Sequence, residues 1–230
     1  AAAGTLLVLA IVFISLIREP ARAVQVTGRS LALILDGLVY VRRNPIVFGA
    51  ISLDLFAVLL GGATALLPAF ARDVLHIEAD GFGHLRAAPA IGAVAVALWL
   101  ATWPMRRHTG AWMFGGVAVF GFATILFGLS ENFWLSMFAL ALLGAGDMLS
   151  VYVRSSLIQL STPDEMRGRV SAASSVFVSA SNELGEFRAG SMGAVIGAVP
   201  AVVVGGVAAL GVAALWAYWF PQLRSADRLD

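Results

Sequence analysis

Residues 133–160 read FWLSMFALALLGAGDMLSVYVRSSLIQL, an apolar run interrupted by Asp147 near its middle and by Arg154 seven residues later. At about 1.5 Å per residue, a helix of this length extends roughly 42 Å, enough to cross a bilayer. A charge inside such a span costs at least about 2.5–3.5 kcal/mol and is usually tolerated only facing a bundle interior or a watery path. The run therefore predicts a membrane protein with polar groups placed for transport.

The composition of the chain also indicates a membrane protein. Hydrophobic residues make up 60% of the 230 residues and charged residues only 13%, whereas a soluble domain carries about 25% charged residues. There is no Cys, and the three His lack the spacing of metal ligands. No nucleophile motif, nucleotide-binding loop or nucleic-acid signature is present. We therefore expect no enzyme, no metal, no cofactor and no nucleic-acid partner.

Apolar runs predict an all-α fold with one partial span, residues 1–17, and six further spans. These six lie at about 45–71, 84–103, 111–129, 133–160, 168–196 and 198–220. Most arginines then fall on one side of the membrane, with only Arg72 and Arg86 assigned to the other. The positive-inside rule accordingly places the connector 18–44 and the tail 223–230 in the cytoplasm.

The connector 18–44 is predicted to contain an amphipathic helix on the inner leaflet or under the bundle. Its apolar residues recur at the helical spacing i, i+3, i+4 and i+7, at Leu31, Ile34, Leu35 and Leu38. A connector of this kind suggests a boundary between two membrane halves. The alternative is a plain solvated loop.

Three charged residues within the spans are candidates for a substrate or proton pathway. Asp147 and Arg154 share a helix face but lie about 10.5 Å apart along the axis, so each needs another partner or water. Arg154 could instead extend its side chain to the cytoplasmic interface. Asp54 lies about ten residues into its span, before the helix breakers Gly61 and Gly62. It either faces a cavity or is satisfied by a hydroxyl on another helix.

Glu183 and Glu186 share one face of the span 168–196 and are the remaining pathway candidates. Burial and a like-charged neighbour both favour the protonated form of a carboxyl group, which suits proton coupling. The alternative is that both lie near the outer leaflet or pair structurally with Arg188 or Arg154. Small residues recur every four positions in this span and predict a ridge for close helix packing; they are Ser181, Gly185, Ala189, Gly193 and Gly197.

The turn before this span is predicted to begin a helix through a capping box. Thr162 would be the N-cap, Pro163 the first helical residue and Glu165 the third. Arg167 and Arg169 follow as anchors at the inner face.

Five stretches together resemble the C-terminal half of a transporter of the major facilitator superfamily, in the branch of enterobactin exporters and macrolide-efflux-like permeases. They are RRNP at 42–45, LDLFAVLLGGATALLPAFARDVL at 53–75, LRAAPAIGA at 85–93, TPDEMRGRV at 162–170 and SNELGEF at 181–187. The resemblance implies a six-helix half, 45–222, built from two inverted three-helix repeats at about 45–129 and 133–220. Residues 1–17 would be the last helix of an N-terminal half.

The resemblance also implies a function. The expected protein is a proton-coupled exporter of an amphipathic small molecule, a siderophore or drug, in a bacterial inner membrane, with the proton gradient as driving force. Its partners would be the lipid bilayer, its substrate and an N-terminal six-helix half. The family's cytoplasmic gating turn corresponds to 104–110, where Arg106 and Arg107 remain but the usual Asp is missing. A non-transporting membrane scaffold or sensor is the alternative.

Overall fold

The computed structural model describes residues 30–103, 105 and 108–224. Predictions for residues 1–17, Arg106, Arg107 and the tail beyond 224 lie outside this part of the chain. So does the placement of the Leu31 and Ile34 side chains. No strand occurs among the described residues, and the predicted all-α fold is confirmed.

Nine α-helices and one short 3-10 turn, Thr64–Leu66, make up the described residues. The helices are α1 Ser30–Arg43, α2 Pro45–Gly61, α3 Leu67–Asp73, α4 Ala79–Thr102, α5 Thr109–Gly128, α6 Phe133–Ser161, α7 Asp164–Ile196, α8 Ala198–Trp219 and α9 Pro221–Arg224.

Five helical segments are long and apolar enough to cross a membrane. They are Pro45–Asp73, which joins α2, the 3-10 turn and α3, together with α4, α5, α6 and α8. The predicted span 168–196 lies within α7, a helix of 33 residues that is more polar than these five. Its crossing of the membrane stays a prediction.

Short side chains at the helix starts explain where two spans begin. Asn44 Oδ1 accepts hydrogen bonds from the backbone N–H groups of Ile46 at 3.2 Å and Val47 at 3.3 Å, just before α2. Asn132 Oδ1 does the same for Trp134 at 2.9 Å and Leu135 at 3.1 Å, just before α6. Each cap satisfies two of the donors that a helix start leaves unpaired.

Helix α6 packs between α4 and α5. Glycines bring its backbone against both neighbours. A Cβ on Gly144 would overlap the carbonyl group of Pro89 in α4, and one on Gly92 would overlap the carbonyl of Ala141 in α6. Gly116 of α5 and Gly146 of α6 approach each other in the same reciprocal way. By contrast, α6 and α7 are consecutive yet barely touch.

Helix α1 packs against the start of α7 through Gly37. Leu35 is exposed, whereas Gly37 and Val41 are buried. Gly37 lies so close to the backbone carbonyl of Arg169 that no Cβ would fit. Arg169 also donates to Asp36 Oδ2 at 3.0 Å. The apolar face predicted for this helix stays a prediction, because the side chains of Leu31 and Ile34 lie outside the described residues.

Candidate functional site

A buried ion pair joins α2 to α6. The Arg154 guanidinium donates a short hydrogen bond to Asp54 Oδ2, and Ser150 Oγ donates to Asp54 Oδ1 at 3.0 Å. Asp54 is 4% exposed and Arg154 7%. Of the two expectations for Asp54, the second is met: a hydroxyl on another helix hydrogen-bonds it, together with a cation, and Asp54 lines neither of the two cavities described below. Arg154 points to Asp54 rather than to the membrane interface.

Asp147 lies one turn before Ser150 on α6 and lines a cavity of about 340 Å³ between α2, α4, α5, α6 and α7. The cavity lies beside the break in α2, at Gly62. Asn182 of α7 also lines it. Asp147 is partly buried and makes no hydrogen bond or ion pair to any residue that the structure describes. It is within electrostatic range of both Asp54 and Arg154.

A second cavity, of about 310 Å³, lies between α6 and α7 where the two helices separate. Arg154 lies in its wall, so the ion pair separates the second cavity from Asp147 along α6. Most of the other lining side chains are polar: Ser155, Gln159, Ser171, Ser174, Ser175 and Ser179. Sequence reasoning missed this polar surface, although serines at 171, 175 and 179 recur at one helical turn and Asn182 continues the same face.

Glu183 and Glu186 are exposed on α7 and line neither cavity. Neither makes an ion pair within the described part of the chain, so the alternative of pairing with Arg188 or Arg154 is wrong. Arg154 is held by Asp54. Arg188 donates to two backbone carbonyls at the end of α2, to Leu59 O at 2.9 Å and to Leu60 O.

The small-residue ridge of α7 packs against α2 and the 3-10 turn. Gly185 lies against the backbone of Val58 and Leu59, and Ala189 is 2% exposed. A Cβ on Gly193 would meet the side chain of Leu66 at 2.6 Å. Gly197 is not part of this ridge, because α7 ends at Ile196. Its φ of +89° ends the helix in a conformation that L side chains rarely adopt.

The predicted capping box at the start of α7 does not form. Pro163 is the N-cap, with an extended ψ of 149°, and no side chain caps the helix. Thr162 Oγ1 is buried without a hydrogen-bond partner among the described residues, and Glu165 is exposed in the first turn. The prediction was wrong because the proline, rather than the threonine before it, is the last non-helical residue.

The two arginines after this turn link the start of α7 to the end of α6 and to α1. Arg167 Nε donates to the Gln159 carbonyl at 2.8 Å and its guanidinium pairs with Asp164 at 2.7 Å. Arg169 pairs with Asp36 of α1. Among the described residues, no group of three His, Asp or Glu side chains is arranged to hold a metal ion.

Comparison with known families adds one finding to this geometry. The family model described as the Major Facilitator Superfamily matches residues 1–185. No curated protein and no solved structure matches the chain.

Proposed function

Because the chain belongs to the Major Facilitator Superfamily, a family of membrane transporters and not of enzymes, we propose that it takes part in proton-coupled export of amphipathic small molecules. The mechanism would be alternating access, in which one six-helix half rocks against another around a central site. The substrate would be a siderophore or a drug, as in the branch of enterobactin exporters and macrolide-efflux-like permeases that the sequence resembles.

The observation that carries this proposal is the unpaired carboxyl group of Asp147 in the wall of a cavity. A carboxylate at this depth is costly in lipid and needs water, a proton or a ligand. Since Asp54 and Arg154 already neutralise each other, Asp147 is free to exchange a proton without breaking that pair. Protonation that differs between two conformations biases their populations, as coupling requires.

The remaining parts of the proposal rest on the sequence. The partner would be an N-terminal six-helix half, and Glu183 and Glu186, exposed on α7, would face it. The arginine asymmetry supports an orientation with the connector and the C-terminus in the cytoplasm, and the resemblance to bacterial exporters supports a location in a bacterial inner membrane. Arg106 and Arg107 would act in cytoplasmic gating. A scaffold or sensor would need all its carboxylates in packed surroundings, and the cavity at Asp147 disfavours that alternative.

Export into vesicles under an imposed pH gradient tests the proposal. Asp147→Asn and Glu183→Gln keep the size of the side chain but fix it in a neutral form. We expect at least one variant to lose proton-driven export while it retains substrate binding. Asp80→Asn, an exposed carboxylate in the first turn of α4, is the matched control. Wild-type export by both variants, with the same pH dependence, would refute coupling through these carboxylates.

A further inference from the structure

Helix α1 lies at one face of the membrane. It ends at Arg43, two residues before the membrane-spanning segment Pro45–Asp73 begins. The Tyr40 hydroxyl also donates a hydrogen bond of 2.6 Å to the backbone carbonyl of Ser161, the last residue of the span in α6. Because α1 adjoins the start of one span and the end of another, it lies at the level of the lipid headgroups, outside the hydrocarbon core.

Contacts with α7 fix the rotation of α1 about its axis. Gly37 lies against the backbone carbonyl of Arg169, and Asp36 accepts a hydrogen bond of 3.0 Å from the Arg169 guanidinium. Val41, one turn after Gly37, is 4% exposed. The other side of α1 therefore faces away from the bundle. Asp36, the one acidic residue of this helix, already has a cation as its partner.

The side of α1 that faces away from the bundle combines two apolar side chains with two arginines. Leu35 is 58% exposed and Val39 51%, and both Arg42 and Arg43 are exposed. Val39 follows Leu35 by one helical turn, and the two arginines follow Val39 by another. Neither arginine makes an ion pair or a hydrogen bond within the described part of the chain. These four residues are the exposed face of α1.

We propose that the exposed face of α1 binds anionic phospholipids of the adjacent leaflet. The two guanidinium groups supply the charge and the paired donors that match phosphate oxygens. Leu35 and Val39 enter the boundary between headgroups and acyl chains, as the apolar side of an interfacial helix does. A lipid surface is the partner that meets this face at headgroup depth and supplies both chemistries. No described residue of α1 lines either cavity, so this surface is separate from the site at Asp147.

Phosphatidylglycerol and phosphatidylcholine with the same acyl chains test the role of headgroup charge. Binding of each lipid to the purified full-length protein is measured by native mass spectrometry from detergent, at low ionic strength so that the charges are not screened. We expect tighter binding of phosphatidylglycerol. An arginine near an anionic surface changes the affinity by about fivefold. The double variant Arg42→Gln, Arg43→Gln should therefore weaken the tightest phosphatidylglycerol binding by about twenty-five-fold and leave phosphatidylcholine binding unchanged.

Three further variants separate the exposed face from the fold and from charge elsewhere. Arg42→Lys with Arg43→Lys keeps both charges and should retain most of the preference for phosphatidylglycerol. Leu35→Ser with Val39→Ser removes the apolar part and should weaken the binding of both lipids. Arg86→Gln removes an exposed arginine of α4 and should bind as the wild type does. All five side chains are exposed, so the melting temperature of each variant should match that of the wild type.

Glycerol 1-phosphate distinguishes a lipid site from a site for free phosphate, because it carries the phosphate without acyl chains. We expect that it does not displace phosphatidylglycerol. Its displacement of the lipid, equal affinity for the two lipids, or unchanged phosphatidylglycerol binding in Arg42→Gln, Arg43→Gln would each overturn the proposal. An equal loss in Arg86→Gln would also overturn it, since the effect would then come from net charge and not from the exposed face of α1.

Discussion

Removing Arg154 should destabilise the bundle more than removing both members of its ion pair. Asp54 is 4% exposed, and in Arg154→Met it would be left with one hydrogen bond, the one that Ser150 donates at 3.0 Å in the wild type. One hydroxyl does not compensate a buried carboxylate, and breaking a buried pair in this way costs about 3–5 kcal/mol. The double variant Asp54→Leu, Arg154→Met removes both charges at similar volume, so we expect it to be within about 1 kcal/mol of the wild type.

The two single variants should also differ from each other. Asp54→Leu leaves Arg154 at the wall of the serine-lined cavity, where water can solvate its guanidinium. We therefore expect Asp54→Leu to cost less than Arg154→Met, by about 1 kcal/mol or more. The measurement is the free energy of unfolding in mixed micelles, followed by circular dichroism. Arg86→Met, at an exposed arginine of α4, is the control and should stay within about 0.5 kcal/mol.

The two single variants and the double variant form a double-mutant cycle, and one outcome of it would contradict the argument. If the losses of the two single variants add in the double variant, the charges do not interact and the pair is not the link between α2 and α6. A loss of less than about 1 kcal/mol in Arg154→Met would contradict the burial argument itself.

Two other substitutions probe the contacts that position the cavity. Gly144→Ala places a methyl group against the Pro89 carbonyl, so we expect it to lower the free energy of unfolding by more than about 2 kcal/mol and to reduce the melting temperature and the folded yield. Gly115→Ala, with open space around it, is the control and should be neutral or slightly stabilising. Equal behaviour of the two variants would refute the close packing of α4 on α6. Arg188→Gln removes a charged donor from the carbonyls that end α2 and should cost about 1–3 kcal/mol. Arg188→Lys should recover part of this loss in the same melting assay, and wild-type stability of the Gln variant would show that the carbonyls are satisfied without the arginine.

The sequence predicted the helices well because their hydrophobic runs are long and their ends are marked by Asn-Pro, Gly and Pro. Gly61 and Gly62 indicated that the span beginning at Pro45 can break, but they did not predict that it does, since a glycine pair permits bending without requiring it. The structure ends α2 there because Arg188 satisfies the carbonyls exposed by the break. Arg188 and Leu59 are 129 positions apart in the sequence, so no local sequence pattern predicts their contact.

The site could be predicted residue by residue but not as an arrangement. Asp54, Asp147 and Arg154 stood out because each is a charge in an apolar run. Their pairing depends on which faces α2 and α6 turn to each other. When a helix is hydrophobic all round, the positions of its apolar residues do not predict how the helix is rotated about its axis. Ser150 was missed for a related reason, because a single serine in a membrane span carries no signal until its neighbour is known.

The Asp54–Arg154 pair also constrains how the protein is made. Its two members are 100 positions apart, and a ribosome adds about 5–20 residues per second. Asp54 is therefore synthesised about 5–20 s before Arg154, and before Ser150 as well. Throughout that interval the span that contains α2 carries the Asp54 carboxyl group without its partners. It must enter the bilayer protonated or wait beside the insertion machinery until α6 arrives, so biogenesis of this bundle depends on the order in which its spans leave the ribosome.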